Sequence, residues 1–114
     1  MDKRTKILIL FDIYGILLTE KQKNIMDLYY NNDFSLSEIG ENSNTSRQAI
    51  HDTVKRCEKL LYEYEEKLQL MKKNFKLQNT KLSIEGNLKK LYDLKEDKVS
   101  EIVRNIEIEL KEIN

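Results

Sequence analysis

Apolar residues crowd almost without a gap between Lys3 and Tyr14, a pattern that predicts a first helix covered on most sides and ended by Gly15. Ile25, Met26, Leu28, Tyr29 and Tyr30 then fall on one face of a second helix. It opens at Thr19, where Gln22 three residues on completes a capping box, and it closes at Asn31, Asn32 and Asp33. Phe34 leads into a third, short helix marked by the same spacing in Ser35 and Glu38, with Leu36 and Ile39 as its apolar contacts and an end near Asn42. A polar turn of Ser43, Asn44, Thr45 and Ser46 follows. Thr45 or Ser46 caps a fourth helix, with Thr45 and Gln48 at capping-box spacing, and this helix turns Ile50, Val54 and Cys57 inward. Two short helices joined by a tight turn, with apolar anchors on their inner faces, have the layout of a helix-turn-helix.

No stop signal ends the fourth helix where a headpiece would end. Ile50, Val54, Cys57, Leu61, Tyr64, Leu68, Met71 and Phe75 form a heptad seam, which predicts one continuous helix of about 30 residues and about 45 Å. Leu82, Ile84, Leu88, Leu91 and Tyr92 predict a further helix, loosened by Gly86, and Val99, Ile102, Val103, Ile106, Leu110 and Ile113 a last amphipathic one. The expected fold is all-α: a headpiece over residues 1–61, then a helical extension over 62–114 whose helices pack back on the long helix, the whole forming one continuous unit. Part of the seam would outrun any cover the headpiece supplies. Leu61, Tyr64, Leu68, Met71 and Phe75 are therefore the expected interface of a homodimer.

Composition agrees with long helices: the 114 residues include no proline, only three glycines, and 35% charged side chains. The 20 basic residues balance 20 acidic ones, which argues against tight, non-specific nucleic-acid binding. One cysteine, Cys57, and one histidine, His51, leave neither an internal disulfide nor a metal cluster to build, and a reducing cytoplasm is expected. Lys3, Arg4 and Lys6 ahead of Ile7 to Leu18 imitate a leader peptide. Asp12 within that run, its shortness and the lack of a small-residue cleavage site argue against a leader and against membrane insertion. Tyr29 and Tyr64 lie on apolar stripes and are assigned to packing rather than base stacking. No phosphate-binding glycine loop, oriented nucleophile or cofactor fingerprint is present, so neither enzymatic activity nor a cofactor is expected.

The run from Leu18 to Leu68 carries a more specific signal. Leu18-Thr19, Lys21-Gln22-Lys23, Leu28-Tyr29-Tyr30, Asp33-Phe34-Ser35-Leu36, Glu38-Ile39, Ser46-Arg47-Gln48-Ala49-Ile50 and Lys55-Arg56 together resemble the YlxM family of small bacterial helix-turn-helix proteins. The headpiece of that family is similar to region 4 of sigma factors, and its gene typically lies beside that of the signal recognition particle GTPase. Three positions depart from the pattern: Gly40 for alanine, at about 1 kcal/mol of helix propensity, Thr45 for an apolar turn plug, and His51 for tyrosine. With Ile50, Val54 and Cys57 inward, the residues on or beside the outer face of the recognition helix are Ser46, Arg47, Gln48, His51, Asp52, Lys55 and Arg56, a set able to meet base edges and phosphates. The resemblance implies a DNA-binding regulator of the signal recognition particle pathway. Net neutrality leaves open direct binding to the particle's protein or RNA components, and a structural dimer with a vestigial headpiece is a third reading.

Overall fold

A computed structural model of the chain describes residues 1–94 and 97–113. It divides into two compact units, Met1–Met71 and Lys72–Asn114. Among the described residues six α-helices follow one another: α1 (Lys3–Tyr14), α2 (Glu20–Tyr30), α3 (Leu36–Asn42), α4 (Arg47–Leu68), α5 (Leu70–Tyr92) and α6 (Asp97–Lys111). Among the described residues there is no strand, and no helix is long and apolar enough to cross a membrane. The fold is all-α.

Local chemistry sets each boundary in the first unit. Asp2 opens α1 by accepting from the Thr5 N–H at 2.7 Å, and a short 3-10 turn, Gly15–Leu17, carries the chain on to Thr19. Gly15 has an ordinary right-handed backbone, and a Cβ there would stand 3.1 Å from the Phe11 ring, a tight approach. Both expected capping boxes form, Thr19 with Gln22 and Ser35 with Glu38. The third does not. Ser46, not Thr45, caps α4 by accepting from the Ala49 N–H, while Thr45 donates its hydroxyl to the Ser43 carbonyl and Gln48 turns to Asp52.

Where the four helices meet, Ile7, Leu10, Tyr14, Met26, Ile39, Ile50, Cys57 and Leu61 are fully enclosed. Each such apolar side chain contributes roughly 1.5–3 kcal/mol of burial, and Phe34, Leu36, Tyr29 and Tyr64 pack around the margin. The two stripe tyrosines therefore belong to packing. Tyr29 stands edge-on to Tyr30 at 5.0 Å, and Tyr64 lies against Tyr14 at 5.9 Å. Cys57 is a small core hydrophobe whose thiol pKa is pushed up by burial.

The expected continuous helix of about 30 residues is interrupted. α4 ends at Leu68 after 22 residues, Gln69 adopts a left-handed conformation (φ 55°, ψ 31°), and α5 starts at Leu70. Such a backbone costs a residue with a Cβ about 1–2 kcal/mol, and nothing in the heptad pattern signals it. The compensation comes from far away in sequence. The Tyr14 hydroxyl donates to Glu65 Oε1 at 2.7 Å and accepts from the Leu70 N–H at 3.0 Å, and the same carboxylate oxygen accepts from the Met71 N–H at 2.9 Å. The first amides of α5, which lack partners within their own helix, are thereby capped. The break also parts the seam. Leu61 lies wholly within the headpiece core, Tyr64 and Met71 pack at its edge, and Leu68 and Phe75 are exposed.

In the second unit, Leu88 of α5 packs with Val103 and Leu110 of α6, flanked by Tyr92, Val99 and Ile106. The Arg104 guanidinium donates to the Tyr92 hydroxyl at 3.2 Å. Leu82, Leu91, Leu94, Ile102 and Ile108 stay exposed.

Candidate nucleic-acid interface

The turn between α3 and α4 is closed by backbone contacts around Gly40. The Thr45 N–H donates to the Gly40 carbonyl at 2.8 Å, Asn44 takes the left-handed region (φ 51°), and the Thr45 carbonyl oxygen would stand 2.6 Å from a Cβ on residue 40. Gly40 therefore holds the turn tight, and its low helix propensity is offset by the close approach it permits. The second helix of the pair, α4, is thus set by packing, with Ile50, Val54 and Cys57 inward as expected.

On the outer side, the expected residues divide into three groups. Ser46 serves as the cap and Arg47 lies in the exposed first turn. Gln48 Nε2 donates to Asp52 Oδ1 at 2.9 Å, and His51 Nδ1 stands 3.4 Å from the same oxygen, so Asp52 tethers two neighbours on its own helix. Lys55 Nζ is 3.4 Å from Glu58 Oε1. Arg56, fully on the surface, makes no ion pair among the described residues.

Glu58 is the residue the pattern hides. It is only 5% exposed, yet no buried side-chain polar atom among the described residues lacks a partner. Tyr30 donates its hydroxyl to Glu58 Oε2 at 3.0 Å, and Lys3 from α1 joins Lys55 at Oε1, also at 3.4 Å. One carboxylate thus gathers α1, α2 and α4. Burial first, then the bond to Glu58, pushes the Tyr30 phenol far above its usual range, while the charge of Glu58 holds Lys3 protonated beyond the ordinary lysine range. Arg4 lies beside this group, bonding the Tyr30 carbonyl at 2.8 Å and Asp33 at 3.1 Å, and Lys6 stands over the Tyr62 ring at 5.0 Å. Lys3, Arg4, His51 and Lys55 consequently line one cleft with Tyr29 and Glu58.

Sequence reasoning places the α4 residues but leaves out this contribution from α1, because Lys3, Arg4 and Lys6 read there as a flank of the apolar run. The available signal is a buried-face acid: Glu58 follows Cys57 and precedes Leu61 on the inward side of α4, where a carboxylate requires cations or hydroxyls from another element.

A family model described as "Putative helix-turn-helix protein, YlxM / p13 like" matches residues 1–109. The UPF0122 protein of Clostridium perfringens is 50% identical over 113 residues, covering 99% of this chain and 97% of that one. Its counterpart from Clostridium kluyveri is 48% identical over 105 residues, 92% and 95% of the two chains, and that from Clostridium novyi 55% over 94 residues, 82% and 79%. With the capped turn, the inward anchors and the outward polar face of α4 all in place, the chain belongs to this YlxM-like family of helix-turn-helix proteins.

Proposed function

We propose that the Met1–Met71 unit binds nucleic acid by laying the outer face of α4 in a groove, and that it does so as a regulatory protein of the signal recognition particle pathway. The observation that carries the reading is the outward row of Gln48, Asp52, Lys55 and Arg56 on the second helix of a tightly closed helix-turn-helix. Gln48 and Arg47 are suited to base edges, Lys55 and Arg56 to phosphates. The pathway assignment rests on the family resemblance. Fluorescence anisotropy with duplex DNA and with structured RNA tests the binding. Replacing Lys55 and Arg56 by Ala is expected to weaken affinity about equally for every sequence and to lower the salt slope by about 2. Unchanged affinity for all DNA and RNA probes rules the reading out.

A second reading, direct binding to protein components of the particle, is favoured by one observation. The Met1–Met71 unit carries ten Lys and Arg residues against twelve Asp and Glu. Such a surface repels polyanions except where its cations are grouped.

We also infer that the protein works as a homodimer. The Lys72–Asn114 unit is near the size below which oligomerisation or a staple is usually needed, and it exposes Phe75, Leu82, Leu91 and Ile102. Sedimentation at micromolar concentration is expected to give twice the chain mass for the native protein and the single mass for the double variant Phe75→Glu, Leu82→Glu. A native monomer excludes the dimer.

A further inference from the structure

The charge of this neutral chain is unevenly distributed. α5 holds six lysines and one acid, Glu85, whereas α6 holds three basic residues against four acids. At 100° per residue, Lys72, Lys76, Asn79, Ser83, Asn87 and Lys90 fall within one arc of α5, recurring about once per turn over about 27 Å. All six are exposed. Glu85 lies on the far side of the helix from this arc, so the row contains only cations and neutral hydrogen-bond donors.

One feature of the first half of α5 acts against its own stability. Lys73 and Lys76 occupy the first two turns, which contain no acidic residue of their own, the carboxylate at the positive end of the helix dipole being that of Glu65 on the Met71 N–H. They are also three residues apart, a like-charge spacing that destabilises an isolated helix. Among the described residues, no carboxylate lies within ion-pair distance of Lys73, Lys76, Lys89 or Lys90. On an ordinary solvated helix, acids at three- or four-residue spacing relieve such repulsion, as Glu85 and Asp93 can for Lys89 and Lys90, but none stands at that spacing from Lys73 or Lys76. An external polyanion would relieve it here.

We propose that α5 is a second nucleic-acid contact, a row that follows a phosphate backbone without reading its sequence. The Asn79, Ser83 and Asn87 side chains would supply neutral donors to phosphate oxygens between the lysines, as non-specific backbone contacts do. A nucleic acid fits better than an anionic membrane because the exposed apolar residues of α5 sit on both flanks of the row. Phe75 and Leu82 lie on one flank and Leu77 and Leu91 on the other, so no single apolar face is available to enter a bilayer. This inference is independent of the α4 reading, and it locates positive charge where the acidic headpiece lacks it.

The test uses the full chain with three probes: a mixed-sequence DNA duplex of about 30 base pairs, an RNA hairpin, and vesicles of anionic phospholipid. In the triple variant Lys72→Gln, Lys76→Gln, Lys90→Gln, circular dichroism is expected to show native helix content. Its affinity for the nucleic acids should fall at least about tenfold near 0.1 M salt, with the slope of log K against log salt reduced by about 2 to 3. The Lys55→Ala, Arg56→Ala variant measured alongside separates the two surfaces. Loss in the triple variant alone supports α5 and overturns the α4 reading, loss in both supports both, and loss in the α4 variant alone overturns the inference about α5. A native protein that binds neither nucleic acid, or binds only the vesicles, overturns it as well.

Discussion

The two units are drawn from much the same alphabet of Lys, Glu, Leu and Ile, yet they use it differently. In Met1–Met71, four helices converge, so that the apolar face of each is covered by others and even Glu58 finds hydroxyl and ammonium partners. In Lys72–Asn114, two helices share one seam. Leu88, Val103 and Leu110 are buried, while Leu82 and Leu94 are each 64% exposed. Amphipathic periodicity makes a helix, but the number of helices that meet determines whether its apolar face is spent inside the chain or left for a partner.

The largest expected effect tests whether that contrast extends to cooperativity. Leu61→Ala should cost the first unit about 2–5 kcal/mol, because a completely enclosed leucine leaves a cavity that helices on all sides would have to collapse into. Leu88→Ala should loosen only α5 and α6. Amide hydrogen exchange distinguishes them: Leu61→Ala is expected to reduce protection throughout α1 to α4, and Leu88→Ala to leave those helices as protected as in the native protein. Loss of protection in α1 to α4 on Leu88→Ala would mean that both units unfold as one.

A smaller effect sharpens the same comparison with one substitution made in both regions. At Gly40 an added methyl meets the Thr45 carbonyl, a backbone atom that cannot swing aside, so Gly40→Ala should destabilise by about 1–3 kcal/mol. At Gly86 nothing lies within 4 Å of the added carbon. Gly86→Ala should therefore stabilise α5 by about 0.5–1 kcal/mol through propensity alone. Denaturant midpoints moving in opposite directions confirm the contrast between a packed and an open helix surface, and movement in the same direction breaks it.

These glycines also show what the sequence makes legible. Gly40 reads locally as a propensity defect, and only the approach of the Thr45 carbonyl, a tertiary fact, reverses that meaning. The helices α1 to α3 and the start of α4 are readable because caps and apolar spacing are short-range signals: Thr19 with Gln22, Ser35 with Glu38, and Ile50, Val54 and Cys57. The break at Gln69 is not. The heptad seam runs through it unperturbed, and the groups that hold it, Tyr14 and Glu65, are 51 residues apart. At the candidate interface the outward α4 residues follow from helical geometry, whereas Lys3 and Arg4 arrive beside them through Glu58 and Tyr30, partners no local spacing reveals.

The Tyr14 joint has a consequence for the order in which the chain is made. Its partners, Glu65 and the Leu70 amide, are 51 and 56 positions downstream. At synthesis rates of about 5–20 residues per second, the interval between Tyr14 and Leu70 is about 3–11 s. Throughout it, α1 is a nascent segment that opens with Lys3, Arg4 and Lys6 and runs on into apolar residues, without the α4 helix that later packs on it. During its own translation this protein therefore carries, for seconds, an apolar first helix whose packing partner has not yet been made, and completion of α4 covers it.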